Sequence, residues 1–340
     1  MAASSEFPLN EGTVRFADLV PTHSQFIGNS RGVMDLDSEF NIVEPQWTPT
    51  LPYRRLDAPS GFAVMGRRRR GAGAGSEYRC STAEVLVAHA GRWRVSVGDD
   101  GRDGSVELGI GDVMSVPAGA IRRVDLLDDV DGFLFVVRGS VERDDGDLGI
   151  AGSAVAPQGD RSAIRGGQWI DYSGGVPVLR TVRTEDPSEG PSTPADLAAR
   201  WVRSAAAIQA TARSEFASTG VTEARVIGAG SPVDGIDDGS IRTAWRHGFS
   251  MHLVSIESGA YVPAHRRSEP LALLLQEGTL EVRSSAEAVM LGAGDVLSMS
   301  AGLEHSLRNT TSRATRAIVV LGAEDPAPPD FSSRPLPGLG

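Results

Sequence analysis

The stretch from Gly259 to Asn309 decides how this chain folds. It reads Gly259-Ala-Tyr-Val-Pro-Ala-His265-Arg-Arg267-Ser-Glu269-Pro-Leu271-Ala-Leu-Leu-Leu-Gln-Glu-Gly278. After a break comes Gly294-Asp-Val-Leu-Ser-Met-Ser300-Ala-Gly302-Leu-Glu-His305-Ser-Leu-Arg-Asn309. The apolar runs are short and end at glycines, which is the length and punctuation of strands. Gly-Asp before the second run and Ala-Gly after it mark tight turns into and out of a strand. Residues two apart on a strand share a face, so His265, Arg267 and Glu269 have common parity.

The same pattern stands earlier in the chain. Glu84-Val-Leu-Val-Ala-His-Ala-Gly91-Arg-Trp-Arg-Val precedes Gly111-Asp112-Val-Met-Ser-Val-Pro117-Ala-Gly119-Ala-Ile-Arg122. Gly91 and Gly278 are offset by 187 residues, Gly111 and Gly294 by 183, so one inter-strand loop shortens by four in the second copy. Copies so far apart imply tandem domains rather than a short-period solenoid. All-β units of about 90 residues with this punctuation suit jelly-roll barrels. The expected fold is mainly β: two tandem barrels with an intervening α-helix.

The expected boundaries are an N-terminal arm over 1–55, a first barrel over 56–145, a connecting region over 146–235, a second barrel over 236–325 and a flexible tail over 326–340. Within the connector, Thr193-Pro194-Ala-Asp196 combines a hydroxyl N-cap, proline at the first helical position and an acid in the first turn. With Leu197, Trp201, Ala205 and Ile208 at helical spacing, it predicts one amphipathic helix over about 193–217.

Composition narrows the function classes. The 340 residues carry a net charge of −11 with 40% hydrophobic residues, an ordinary globular balance. An acidic protein is a poor nucleic-acid or anionic-membrane binder. Arg67-Arg-Arg-Arg70 has no aromatic interleaving and reads as a solvated or acid-paired strand end. The lone Cys80 cannot make an intrachain disulfide, no run approaches about 18 apolar residues, and the first residues lack a secretory signal. A cytoplasmic protein is expected, with no nucleic-acid or membrane partner.

Residues 259 to 309 resemble the cupin family signature, a glycine, five residues, His-x-His, a carboxylate and a glycine, then Gly-x5-Pro-x-Gly-x2-His-x3-Asn. The resemblance implies a bicupin whose metal ligands are two histidines of one strand, a third from a later strand and a carboxylate. Here His265, His305 and Asn309 stand at family spacing, Arg267 replaces the second histidine and Leu271 the glutamate. In the first copy Tyr78, Cys80 and Arg122 replace the three histidines, and only Glu84 remains. His265-Arg-Arg267 and its small and apolar followers resemble the run in gentisate 1,2-dioxygenases, bicupins that use three histidines without the glutamate.

The expectations are therefore specific. His265 and His305 are the candidate metal ligands, with Glu269 and His252 as candidate substitutes for the lost donors. The implied cofactor is a divalent metal, iron first, with a metal-free protein as the alternative. Arg267 is the candidate partner of a substrate carboxylate, with a carboxylate-paired arginine as the bland reading. Arg122 and Glu84 form either a buried ion pair or a second carboxylate site. The implied function is a small-molecule enzyme, a metal-dependent dioxygenase or oxidoreductase acting on an anionic aromatic or hydroxy-carboxylate substrate. The alternatives are an acid/base isomerase, dehydratase or cyclase using His265, His305 and Arg267, or a non-catalytic ligand-binding protein. A homodimer or an internal pseudo-dimer is expected from the family's habit of pairing barrels.

Overall fold

The computed structural model describes residues 8–20, 37–45, 55–56, 62–73, 75, 78–80, 82–98, 101–118, 120–142, 148–150, 153–155, 168–171, 178–181, 202–210, 218–228, 241 and 245–332. The N-terminal segment gives helix α1 (Leu9–Gly12) and strands β1 (Thr13–Val14), β2 (Asp37–Pro45) and β3 (Arg55–Leu56). The first repeat gives β4 (Phe62–Arg69), β5 (Tyr78–Cys80), β6 (Glu84–Ala90), β7 (Trp93–Val97), β8 (Gly104–Leu108), β9 (Val113–Val116), β10 (Ile121–Leu126) and β11 (Gly132–Glu142). Then come β12 (Leu148–Ile150), β13 (Ser153–Val155), β14 (Gln168–Asp171), β15 (Val178–Thr181), β16 (Val202–Arg203) and α2 (Ala205–Ala210). The second repeat gives β17 (Val221–Ile227), β18 (Ser250–Ile256), β19 (Tyr261–Arg266), β20 (Leu271–Glu277), β21 (Thr279–Ser284), β22 (Ala288–Gly292), β23 (Val296–Met299), β24 (His305–Arg308), β25 (Thr315–Leu321) and β26 (Asp330–Phe331).

Each repeat is a two-sheet barrel. The first pairs the sheet β16-β9-β6-β11-β4-β2-β3 with β13-β5-β10-β7-β8; the second pairs β1-β23-β20-β25-β18-β17 with β22-β21-β24-β19-β26. Alternation along single strands divides the side chains among three cores. Leu86 and Ala88 face the first barrel's interior with Trp93 and Met114, and Leu271, Leu273 and Leu275 face the second's with Val254 and Val319. The intervening Val85, Val87, Ala272 and Leu274 join Phe62, Phe133, Phe135, Phe249 and Ile318 in one cluster between the barrels. The large sheets therefore pack back to back inside one chain, an internal pseudo-dimer. Burial on both faces explains why β6 and β20 read as unbroken apolar runs. Each fully buried Val, Leu or Phe contributes roughly 1.5–3 kcal/mol.

The turns answer to the glycine punctuation. Gly91 and Gly278 lead out of β6 and β20 at φ of 78° and 85°, where a Cβ would meet Leu126 at 2.9 Å and Thr315 at 2.6 Å. Only glycine takes that backbone without strain beside such close neighbours.

Short strands cross between the repeats. β1, ahead of the first barrel, pairs with β23 of the second (Thr13↔Leu297), while β16, ahead of the second, pairs with β9 of the first (Val202↔Met114). The equivalent aspartates secure both crossings: Asp295 accepts from the Phe16 N–H at 2.9 Å and Asp112 from the Ala205 N–H at 2.8 Å.

Several expected boundaries change. Of the expected arm, β1 joins the second barrel's large sheet, and β2 and β3 join the first barrel's. Within the expected helix over 193–217, Val202–Arg203 is a strand, because its two residues complete the edge beside β9. The described helix α2 follows Ser204, whose Oγ accepts the Ala207 N–H at 3.2 Å; residues 193–201 and 211–217 lie outside the described residues. β17, expected in the connector, belongs to the second barrel through its ladder with β18. The tail is held through Ser332, because β26 pairs with His265 and Arg266 of β19; 333–340 lie outside the described residues. The arginine run is not a solvated face either. Arg69 is buried, Arg67 stacks on Tyr78, and Arg68 stacks on Phe16, Phe40 and Phe133.

Candidate functional site

In the second barrel, β19 and β24 run antiparallel with His265 directly opposite His305. The ring centroids are 4.3 Å apart and the planes inclined by 51°. Each Nδ1–H is held by the carbonyl two residues back, His265 by Pro263 at 2.9 Å and His305 by Leu303 at 3.0 Å. That tautomer puts the lone pair of both rings on Nε2. Phe331 of β26 covers the other side of His265, with centroids 5.8 Å apart.

Arg267 follows on the same face and is buried at 6% exposure. It does not pair with Glu269. Its Nη1 donates to the Ala327 carbonyl at 3.3 Å, and Nη2 lies 3.7 Å from Oε1 of Glu223. Nδ1 of His252 lies 2.8 Å from the same Glu223 oxygen, off the hydrogen-bond axis. Oε2 of Glu223 and Nε2 of His252 are buried and have no hydrogen-bond partner among the described residues. Glu223 was missed because its strand fell in the expected connector. Its signal was the alternation Val221-Thr-Glu223-Ala-Arg225, which puts Glu223 on the interior face with Val221.

Burial in this compartment keeps His265 and His305 neutral. Burial first, then His305 and the Arg267 charge, lowers His265 to about 3. Burial, helped by Arg267, lowers His305 to about 4. Burial would raise the Glu223 carboxyl, but His252 and Arg267 outweigh it and the pKa falls. A histidine limb near pH 6 to 7, the ordinary expectation, therefore moves well into the acid range in the unliganded protein.

In the first barrel the equivalent residues also converge, with different chemistry. Tyr78 stands opposite Arg122 where His265 stands opposite His305. The expected Arg122–Glu84 ion pair is present, Nε lying 2.9 Å from Oε2, with both side chains fully buried. Tyr78 donates to that oxygen at 2.8 Å, and Arg138 donates through Nε to Oε1 at 2.9 Å. Burial would raise Glu84, but Arg122 and Arg138 pull its pKa down to about 2. The Tyr78 hydroxyl is pushed up by burial and by the Glu84 charge. Arg138 was also missed, although a lone arginine ending Phe133-Leu-Phe-Val-Val was a readable signal.

Residues 252–321 match the family model described as "Cupin domain". An oxalate decarboxylase of Bacillus subtilis superposes with a TM-score of 0.52 at 15% identity, covering 93% of this chain and 78% of that one. The Lactobacillus farciminis oxalate decarboxylase formate complex gives 0.54 at 15%, covering 96% and 88%. The Momordica charantia 7S globulin gives 0.58 at 13%, covering 95% and 87%. The fold is a bicupin. No curated protein matches the sequence, and identities this low speak for the bicupin fold alone.

The metal expected of a bicupin does not fit the donor set. Among the described residues, no three His, Cys, Asp or Glu side chains converge as ligands. Glu269 does not complete the set, because Oε1 takes the Ser268 hydroxyl at 2.9 Å and the Ala327 N–H at 3.1 Å, so it anchors the C-terminal segment. His252 does not complete it either, being drawn to Glu223. A guanidinium whose charge reaches both imidazoles also opposes a cation there. What the second barrel offers instead is a cationic donor, a buried carboxylate and neutral imidazole acceptors in an aliphatic shell. Among the described residues no helix is long and apolar enough to cross a membrane.

Proposed function

We propose that this bicupin binds a small hydroxy- or aromatic carboxylate in its second barrel and transfers a proton on it through His265 and His305, without a metal. The observation that carries this reading is the opposed pair of neutral imidazoles, 4.3 Å between centroids, in one buried compartment with Arg267. A guanidinium takes a carboxylate by paired, charge-assisted hydrogen bonds. A carboxylate seated there offsets the Arg267 charge and raises both imidazole pKa values toward the ordinary 6.5. The histidines then accept and return a proton more readily when the ligand is present, although burial still holds their pKa values down. Oε2 of Glu223 and Nε2 of His252 are unpartnered polar atoms suited to a ligand hydroxyl. Isomerisation, dehydration and cyclisation are the reaction classes this serves.

The test is a titration of histidine-labelled protein with glycolate, malate, salicylate and 4-hydroxybenzoate, read by nitrogen NMR. We expect the His265 and His305 ring nitrogens to move toward the protonated form with one of these acids, and Arg267→Met to abolish the response. Silence across the panel sinks the proposal.

One observation favours a metal reading: an Nδ1–H held by a backbone carbonyl is how ligating histidines are oriented. On that reading His265 and His305 hold iron for a dioxygenase and the ligand supplies the missing donors. Elemental analysis separates the two, since near-stoichiometric metal lost in a His265→Ala, His305→Ala double variant replaces the metal-free reading. A protein that binds the acid and turns nothing over is the non-catalytic alternative, because a fold does not specify a reaction. We also propose that the protein is a cytoplasmic homodimer, checked by light scattering and by cell fractionation.

A further inference from the structure

We infer that the C-terminal segment 326–332 is a gate over the second barrel's compartment, held shut by Arg267 and Glu269 and opened by the carboxylate ligand. It rests on the carboxylate reading only for what opens it. After β25 the chain returns across β19. Ser332 donates its N–H to the Ala264 carbonyl at 2.9 Å, and β26 sets Phe331 opposite His265 and Asp330 opposite Arg266. The Phe331 ring lies against the His265 imidazole, with centroids 5.8 Å apart. Further on, the Ala327 carbonyl accepts from Nη1 of Arg267 at 3.3 Å, and the Ala327 N–H donates to Oε1 of Glu269 at 3.1 Å. The segment thus runs antiparallel along residues 264 to 269, the stretch that carries the candidate site.

Sequence and exposure suit a segment that opens. Pro326, Pro328 and Pro329 stiffen it and lack N–H groups, so docking costs little chain entropy and few backbone bonds tie it down. Asp325, Ala327, Pro328, Asp330 and Phe331 are exposed, whereas His265, Arg267 and His305 are buried. Exposed backbone bonds and little buried apolar surface are the marks of local opening. The Arg267 contact supplies the trigger. Ala327 offers it a neutral oxygen at the long end of the hydrogen-bond range. A carboxylate on both terminal nitrogens is a paired, charge-assisted acceptor, so seating it displaces Ala327 and releases the segment.

The experiment pins the segment in the full chain. Arg266→Cys with Asp330→Cys puts cysteines at paired, exposed positions of β19 and β26, within reach of a disulfide. Carbethoxylation of His265 and His305 by diethyl pyrocarbonate, mapped by mass spectrometry, reports access to the compartment. His89, between the barrels, is the control for general loosening. We expect labelling about tenfold slower in the oxidised than in the reduced pair variant. It should be about tenfold faster than wild type in Glu269→Ala, whose closed form loses one hydrogen bond. Calorimetric titration with the same four acids should show about tenfold weaker binding to the oxidised form. Labelling that ignores both changes overturns the gate, as does equal acid affinity in the oxidised and reduced forms. Labelling that follows the segment, with no acid bound by either form, keeps the gate and refutes the carboxylate reading. If the cysteines do not cross-link, labelling of Glu269→Ala decides by itself.

Discussion

The two barrels share a register and differ in what they bury. At equivalent positions the first has Tyr78, Cys80, Glu84 and Arg122, and the second has His265, Arg267, Leu271 and His305. The ladders extend the comparison. Glu84 pairs with Arg138 across β11, and Leu271 pairs with Leu321 across β25, both between equivalent strands. An ion pair in one copy is thus an aliphatic pair in the other. The exchange involves both partners, because leaving either charge alone in a barrel core is far costlier than replacing the pair. The second barrel, relieved of that pair, buries a carboxylate elsewhere, on Glu223 beside His252 and Arg267. One repeat is a charged, cross-braced interior, while the other buries two neutral imidazoles beside a guanidinium.

The largest expected effect comes from breaking the first barrel's brace. Glu84→Leu leaves Arg122 and Arg138 without their shared carboxylate and should cost about 3–5 kcal/mol in urea denaturation. Copying the second barrel more fully, as Glu84→Leu with Arg122→His and Arg138→Leu, should recover most of that loss. No recovery would mean that the two interiors are not interchangeable solutions.

Acid should separate the barrels next. His265 at about 3, His305 at about 4 and the inter-barrel His247, lowered by burial to about 4, are all depressed from 6.5. The unfolded chain therefore binds protons that the folded one refuses, and stability is complete above about pH 6.5 and declines as pH falls toward 4. Glu84, depressed from 4.5 to about 2, gives up its contribution only between those values. The melting temperature should fall steadily between pH 6.5 and 4, and His305→Gln should flatten that slope. An unchanged slope would remove the neutral pair from the account.

A smaller effect tests Arg267 directly. Removing its charge in Arg267→Met should move the His265 and His305 titrations upward, read by NMR, while His247 stays in place. The smallest concerns the crossed strands. Asp112→Ala and Asp295→Ala each remove an acceptor for two backbone N–H groups and should each cost about 1–2 kcal/mol, the second somewhat more because it also loses the Arg15 ion pair.

Much of this was legible in the residues. Glycine spacing and apolar runs gave the strands and the repeat, and two motif spacings brought His265 and His305 to one point. The Arg122–Glu84 pair followed from the same register. Glu223, Arg138 and the two crossing strands were harder, because each acts through a partner distant in sequence or outside the expected barrel. Periodicity says which face of a strand a residue occupies, and it is silent on which strand lies alongside. The same gap explains the helix over 193–217: helical spacing at Leu197, Trp201, Ala205 and Ile208 was real, but the sheet edge beside β9 claimed Val202 and Arg203.

The sequence alone determined the two-barrel architecture and which face of each motif strand turns inward, since alternation and turn chemistry are local and act wherever the strand comes to lie. Tertiary structure decided the electrostatics. Whether Arg267 meets Glu269 or Glu223, and whether the histidines titrate near 6.5 or near 3 and 4, depend on burial and on contacts between distant strands. Charge interactions follow distance and dielectric, and both are set only once the barrels have closed.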